Sequence, residues 1–159
     1  MSEKPSNPLL YDAIRERGIV YLLAFRELAE RYGETEAISV MRSVSRAQGI
    51  IAGKKLAHLA PRDFKGMADE FAMAPDDGVT FSTEIRQLDE TGLKVQMMTC
   101  PIKDAWTEAG CSDEEICTLL HCASAFDEAT LETAGFAYEI ELWAPGKEGC
   151  CLTKITEKT

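Results

Sequence analysis

The chain has 159 residues, of which 45% are hydrophobic and 28% charged, which indicates one globular domain with a hydrophobic core. It contains no run of about eighteen apolar residues and no basic start followed by an apolar segment, so we expect a cytoplasmic protein without a transmembrane helix or signal peptide. The formal net charge of −10 argues against nucleic acid and anionic membranes as partners, because both bind to basic surfaces.

A long first helix is predicted over residues 9–32. Asn7 and Pro8 form a typical helix start, an N-cap followed by proline, and Gly33 ends the helix. Apolar residues recur at helical spacing along one face, and Arg17 falls in the middle of that face. The face comprises Leu10, Ala13, Ile14, Tyr21, Ala24, Leu28 and Tyr32.

A second helix is predicted over residues 35–48, with an extension toward Pro61, which ends it. In this extension Gly49 and Gly53 are four residues apart, which allows either a close approach of another backbone or a kink. A short third helix is predicted over residues 62–74.

The second half of the chain alternates hairpins and helices. Four strands are predicted, at 79–88, 93–99, 138–143 and 150–155. Two helices lie between the strand pairs, over about 101–109 and 112–134. The sequence therefore predicts a single α+β domain, in which N-terminal helices (about 8–74) pack on a mainly antiparallel sheet of about four strands (within about 79–156).

All six cysteines lie in the last 60 residues, namely Cys100, Cys111, Cys117, Cys122, Cys150 and Cys151. Cys100 follows a predicted strand and precedes Pro101, so it occupies the N-cap of a predicted helix. The free backbone N–H groups and the positive end of the helix dipole favour a thiolate at such a position. Cys100 is therefore expected to be a nucleophile or a metal ligand, or, with equal weight, a small buried residue at a strand-to-helix corner.

Asp127 lies near the centre of the apolar face of the helix predicted over 112–134. That face comprises Ile116, Leu119, Leu120, Ala123, Phe126, Thr130 and Ala134. A carboxylate there is costly unless it is paired or hydrogen-bonded. Asp127 is therefore expected to be a general base, a ligand or an orienting group, or else to form a structural hydrogen bond or ion pair, for example with Arg17.

The remaining cysteines give weaker indications. Cys122 flanks the same helix face as Asp127. Cys150 and Cys151 are neighbours on a predicted strand, where side chains alternate, so one thiol is expected to face inward and the other outward. Cys117 and His121 are four residues apart, but one such pair is a weak indication of a metal site. The sequence contains no CxxC, phosphate-binding loop or GxSxG motif, so no metal or cofactor is defined.

Four spaced motifs between Cys100 and Ile155 resemble those of the L-2-amino-thiazoline-4-carboxylic acid hydrolase-like family. The family pattern is Cys-Pro after a strand, Cys-x4-Asp on a helix, Gly-Phe before a strand, and Gly-Asp-x-x-Cys-x-Phe in a closing hairpin. In this chain the motifs are Cys100-Pro101, Cys122 to Asp127, Gly135-Phe136 and residues 146–152. The hairpin departs from the family at two positions, Lys147 for Asp and Leu152 for Phe. The family is also similar to 4-vinyl reductase-type domains, which hold a small ligand between helices and sheet.

The resemblance implies hydrolysis of a carbon–nitrogen bond in a small cyclic amidine, which opens a thiazoline ring toward a carbamoyl-cysteine. Cys100 would attack the electrophilic amidine carbon or hold a metal that activates water, and Asp127 would transfer the proton or bind the amidinium. Cys122 and Cys150 are expected at the substrate site. Arg17 would pair with the substrate carboxylate, since residues 1–60 carry nine Lys and Arg against seven Asp and Glu, whereas residues 61–159 carry eight against twenty.

Two other hypotheses stay open beside the hydrolase. The first is a small-ligand or metal sensor on the same fold without catalysis, which Lys147 in place of the family Asp favours slightly. The second is a structural domain that oligomerises and whose Cys and Asp residues are only packed. A homodimer is expected from the long amphipathic first helix.

Overall fold

The computed structural model describes residues 7–159 and confirms the α+β class. Its helices are α1 (Pro8–Tyr32), α2 (Glu34–Leu56), α3 (Phe64–Met67), α4 (Pro101–Glu108) and α5 (Asp113–Ala134). Its strands are β1 (Thr83–Asp89), β2 (Gly92–Met97), β3 (Phe136–Glu141) and β4 (Cys151–Glu157). A 3₁₀ turn (Ala57–Leu59) follows α2, and a π-helical turn (Ala68–Ala72) follows α3.

The four strands form one antiparallel sheet in the order β1-β2-β4-β3. Leu93 and Val95 of β2 lie opposite Ile155 and Thr153 of β4, and all four side chains are buried. Because side chains alternate along a strand, these pairs define the face of the sheet that the helices cover. Cys151, opposite Met97, lies at the end of the same row.

The first predicted strand was too long at its N-terminal end. Residues 79–82 form turns, and β1 begins only at Thr83. The Asp76 carboxylate accepts hydrogen bonds from the Thr80 backbone N–H (3.2 Å) and hydroxyl (2.5 Å), which hold this segment in a turn. The alternation of apolar and polar residues over 79–82 therefore resembles a strand without forming one.

The buried side chains form two clusters along α5. The first cluster lies between the sheet, α3 and the C-terminal part of α5; it includes Phe64, Met67, Leu93, Val95, Leu131, Phe136 and Ile155. The second cluster lies among α1, α2, α4 and the N-terminal part of α5; it includes Leu22, Phe25, Met41, Trp106, Leu119 and three buried cysteines, Cys100, Cys122 and Cys150. The predicted site residues therefore belong mainly to the second cluster.

Helix α2 packs directly on the backbone of α5. A Cβ atom added at Gly49 would collide with the Phe126 carbonyl oxygen, and one at Gly53 would collide with the Thr130 carbonyl oxygen. The Thr130 hydroxyl also lies 3.3 Å from the Gly49 carbonyl oxygen, to which it can donate. The sequence allowed either a close backbone approach or a kink at Gly49 and Gly53. The structure shows the close approach, and α2 is one continuous helix.

The predicted apolar face of α1 was only partly correct: Ile14 is buried and Tyr21 and Leu28 pack against the second cluster, but the centre of the face lies elsewhere. The buried stripe consists of Ile14, Gly18, Leu22 and Phe25, and Arg17 is exposed. Gly18 forms the contact with α4, because a Cβ there would lie 3.0 Å from the Ile102 Cα atom. The indole N–H of Trp106 donates to the Gly18 carbonyl oxygen at 2.8 Å.

Within residues 7–159, no helix has the length and apolar character that crossing a bilayer requires.

Replacing Gly49 with alanine is expected to destabilise the protein, because the new methyl group has no room against the Phe126 carbonyl. We expect the free energy of unfolding to fall by about 1 to 3 kcal/mol, as for other overpacked cores, despite the better helix propensity of alanine. Urea unfolding followed by circular dichroism measures the change. The control is Gln48→Ala at the neighbouring exposed position, which should shift the stability little. A Gly49→Ala protein as stable as the parent would contradict the packing.

Candidate functional site

Cys100 occupies the corner that the sequence predicts. It is the N-cap residue of α4, with Pro101 at the first helical position, and its side chain makes no capping hydrogen bond to the helix. The residue is 6% exposed. Its thiol lies close enough to Cys150, which comes just before β4, to raise the pKa of Cys150.

Cys150 and Cys151 place their sulfur atoms together, 3.4 Å apart. The expectation that one thiol faces inward and the other outward was therefore wrong. Cys150 precedes the strand and does not follow its alternation: Gly149 has φ +68, and the Cys150 backbone N–H donates to the Met97 carbonyl oxygen at 2.8 Å. This turn brings Cys100, Cys150 and Cys151 into one continuous group, which we call the thiol cluster.

The pKa values of two thiols in the cluster, Cys150 and Cys151, shift in opposite directions. Hydrogen bonds to Cys100 and Cys151, together with burial, raise the pKa of the Cys150 thiol far above its ordinary value. The hydrogen bond from Cys150 lowers the pKa of Cys151, against the opposing effect of burial. Cys150 therefore keeps its proton and donates, and Cys151 is the sulfur on which negative charge is stabilised.

Asp127 faces the thiol cluster from α5. Burial, reinforced by the neighbouring Glu128 carboxylate, raises the pKa of Asp127 to about 7, and no hydrogen bond from the described residues contributes to this pKa. Its charge in turn acts to raise the pKa of Cys151, so the two groups lie within electrostatic reach of each other. A desolvated carboxyl without a compensating partner is unusual in a folded protein and typical of functional sites.

Glu128 is held differently from its neighbour. Its carboxylate accepts a hydrogen bond from Arg42 at 2.8 Å and another from the Ser124 hydroxyl at 3.3 Å. The predicted alternative, in which Asp127 forms an ion pair with Arg17, is not found, because Arg17 lies exposed on α1.

Two further groups border the cluster and were missed from the sequence. The Lys103 ammonium lies over the Trp143 ring, 4.7 Å from its centroid, and acts to lower the pKa of Cys151. A hydrogen bond from the Trp143 backbone lowers the same pKa. One sequence signal was available for Lys103: it is the first cation after Cys100 on the helix that Cys100 caps.

Cys122 belongs to the same buried cluster as Cys100 and Cys150, but the charge interactions of its thiol are with Arg42 and Tyr21. It is completely buried, and burial raises its pKa to about 11, partly offset by Arg42. Its charge acts on the pKa of Tyr21, which places it among the side chains of α1 and α2. The structure therefore gives Cys122 the environment of a packed, protonated thiol.

No group of three or more His, Cys, Asp or Glu side chains within residues 7–159 is arranged to hold a metal ion. Cys117 and His121 diverge: the Cys117 thiol lies 3.8 Å from the Trp143 carbonyl oxygen, and the His121 ring lies beside Arg42 at the surface.

A shallow cleft of about 150 Å³ opens beside Cys150. Its lining comprises Gln96, Glu141, Leu142, Lys147, Glu148, Cys150 and Leu152. Lys147 and Leu152, the two departures from the family hairpin, are both in this lining, and the Lys147 ammonium is 2.6 Å from the Glu141 carboxylate. A larger cleft of about 330 Å³ lies at Arg62–Lys65 and Leu88–Glu90, but it contains none of the predicted site residues.

A thiol cluster that faces a desolvated carboxyl is an arrangement suited to nucleophilic chemistry on an α+β domain. A family model described as L-2-amino-thiazoline-4-carboxylic acid hydrolase matches residues 12–145, and the chain belongs to this family. The match includes the helical first half and ends before the hairpin that carries Cys150 and Cys151. No curated protein and no solved structure gives a match, so the similarity to 4-vinyl reductase-type domains stays a prediction.

Replacing Asp127 with asparagine is expected to stabilise the protein at alkaline pH. The folded-state pKa of about 7 lies above the ordinary 3.8, so ionisation of Asp127 progressively costs stability as the pH rises from about 4 to 7, and the full cost is present above 7. The variant should gain up to about 4 kcal/mol at pH 8, at about 1.4 kcal/mol per pKa unit, and almost nothing at pH 4. Chemical unfolding at the two pH values measures this.

The matched control is Glu114→Gln, an exposed position on the same helix, whose effect should be small at both pH values. Equal stability of parent and Asp127→Asn at pH 8 would show that the carboxyl is solvated or paired.

Proposed function

We propose that this protein hydrolyses a carbon–nitrogen bond in a small cyclic amidine such as 2-amino-thiazoline-4-carboxylate. Membership of the hydrolase family supports the reaction class. The observation that carries the proposal is the thiol cluster of Cys100, Cys150 and Cys151 beside the uncompensated Asp127 carboxyl. This arrangement provides the two functions that the reaction needs, a nucleophile for the amidine carbon and a group that exchanges protons with nitrogen and water.

The proton-transfer role belongs to Asp127. A general acid–base catalyst works best when its pKa is close to the operating pH, since both protonation states are then available. With a pKa of about 7, Asp127 can protonate the departing nitrogen and then accept a proton from water.

We assign the nucleophilic role to the thiol cluster, in which Cys100 is the N-cap residue of α4. The alternative in which Cys100 holds a metal receives no support from the arrangement of the described side chains, since they provide no group of three ligands. The proposal is therefore written for thiol chemistry.

The cations that the structure places near the cluster come from the second half of the chain. Lys103 lies beside Trp143, and Lys147 lines the cleft that Cys150 borders. We propose these two lysines, instead of Arg17, as the groups that attract the carboxylate of an anionic substrate. Cys150 keeps its proposed place in the substrate site, because it lines the cleft, whereas Cys122 is assigned to packing.

A ligand-binding function without catalysis is the second candidate. The cleft beside Cys150, of about 150 Å³, is smaller than typical small-molecule sites of about 300 to 1,000 Å³. Lys147 replaces the family Asp in its lining, which changes the charge that a ligand meets. Binding of the amidine without conversion would support this function.

The direct test is conversion of 2-amino-thiazoline-4-carboxylate, with the ring-opened product detected by mass spectrometry. We expect turnover by the parent, a loss of about 100-fold or more in Asp127→Asn because proton transfer is removed, and a loss of about tenfold or more in Cys100→Ala. Cys111→Ser, at a partly buried cysteine outside the thiol cluster, is the control and should keep full activity. No conversion by the parent, or full activity in Asp127→Asn, would contradict the proposed function.

A further inference from the structure

We propose that Cys151 is the sulfur that attacks the substrate, with Cys150 as its hydrogen-bond donor and Asp127 as the proton-transfer group. This inference rests on the proposed function, and it assigns the attack to Cys151 in place of the predicted Cys100. It follows from the access, hydrogen bonding and electrostatic surroundings of the three sulfur atoms.

Access separates the three thiols. Cys100 is 6% exposed and Cys150 is 3% exposed, and both belong to the buried core. Cys151 is only partly buried and packs against the edge of that core. A nucleophile has to be reached by the substrate, which favours Cys151, whose sulfur lies 3.4 Å from that of Cys150 at the cleft.

Hydrogen bonds converge on Cys151 from two directions. The Cys150 sulfur lies 3.4 Å away, and Cys150 donates because it is the thiol that holds its proton. The Trp143 backbone forms the second hydrogen bond. Donors of this kind stabilise the thiolate, which is the reactive form of cysteine.

Three elements contribute the charged and titratable groups that face Cys151. The Lys103 ammonium on α4 favours the thiolate, the Asp127 carboxylate on α5 opposes it, and Cys150 before β4 donates to it. The net effect is a lowered pKa, in spite of burial. Cys100 acts one step further away, because it interacts with Cys150, the donor, and raises the pKa of that thiol. Cys100 is therefore a positioning residue.

The first half of the reaction forms a bond between the Cys151 sulfur and the amidine carbon. The C=N π electrons move to the ring nitrogen, which takes a proton from the Asp127 carboxyl. Asp127 then takes a proton from the other amidine nitrogen and delivers it to the ring nitrogen. The bond between the amidine carbon and the ring nitrogen breaks, and the ring nitrogen departs as an amine. The carbon stays bound to sulfur as a thioimidate.

The second half consumes one water molecule. The water oxygen bonds to the thioimidate carbon, Asp127 takes one of the two water protons, and the C=N π electrons move to the nitrogen. That nitrogen takes the remaining hydroxyl proton, and the bond between the carbon and the Cys151 sulfur breaks as the C=O bond forms. Cys151 returns as thiolate, Asp127 is again protonated, and the net change is addition of one water across the carbon–nitrogen bond.

The first test is alkylation by iodoacetamide at pH 7, with the modified cysteines located by fragmentation mass spectrometry, which separates the adjacent Cys150 and Cys151. We expect Cys151 to react fastest, at least about tenfold faster than Cys111, whose pKa burial raises to about 11. Faster modification of Cys100 or Cys150 would overturn the assignment. This result does not depend on any turnover.

Two variants test the surroundings of Cys151 through the pH dependence of its alkylation. Asp127→Asn removes a nearby negative charge and should move the profile to lower pH, whereas Cys150→Ala removes the donor and should move it to higher pH. If Asp127 and Cys150 have only structural roles, neither substitution moves the pH profile of Cys151 alkylation. An unchanged profile in both variants would therefore contradict the proposed contacts.

The turnover arm separates this inference from the proposed function. Cys151→Ala should lose about 1,000-fold or more, and Cys100→Ala a smaller factor, because only Cys151 forms the covalent bond. Full activity of Cys151→Ala alongside an inactive Cys100→Ala would overturn the inference and leave the proposed function intact. If the parent converts no amidine, the proposed function fails, and preferential alkylation of Cys151 still decides the identity of the activated thiol.

Discussion

The contact between α2 and α5 leaves no room for a Cβ atom at Gly49 or Gly53, and the position of the candidate site depends on this contact. The glycines lie against the α5 carbonyls of Phe126 and Thr130, the same helical turn that carries Asp127. Close backbone packing of α2 covers one side of this turn. The fold therefore buries the Asp127 carboxyl enough to raise its pKa to about 7, independently of any substrate.

Burial of the Asp127 carboxyl makes its ionisation cost free energy, and among the described residues no hydrogen-bond partner offsets this cost. The carboxylate of Glu128, the next residue, accepts hydrogen bonds from Arg42 and Ser124. Asp127 accepts no compensating hydrogen bond from the described residues. The groups within its electrostatic reach include Cys151, whose charge is stabilised by Cys150. A carboxyl with a raised pKa near a thiol with a lowered pKa is an arrangement suited to proton transfer, and this is the physical basis for the hydrolytic chemistry that we propose for this chain.

Much of the fold follows from local sequence signals, whereas the details of the site do not. The hairpins, the long helices and the corner at Cys100 are predictable because caps, glycine stops and alternation are local. The buried face of α1 is not, because Gly18 is buried through its fit to α4 while apolar residues such as Val20 stay exposed. The pairing of Cys150 with Cys151 also depends on a positive φ at Gly149, which strand alternation cannot reveal. Asp127 was predicted on the apolar face of α5 and its pKa is raised by burial, but the thiols near it come from distant segments.

The central claim is that the Asp127 carboxyl titrates near neutrality beside the thiol cluster. The most direct measurement is a carbon-13 NMR titration of the aspartate carboxyl groups, with the Asp127 signal assigned by its loss in Asp127→Asn. The structure predicts a midpoint at about pH 7 for this one carboxyl. A midpoint near the ordinary aspartate value of about 4 would contradict the account, because the carboxyl would then be ionised and solvated at neutral pH.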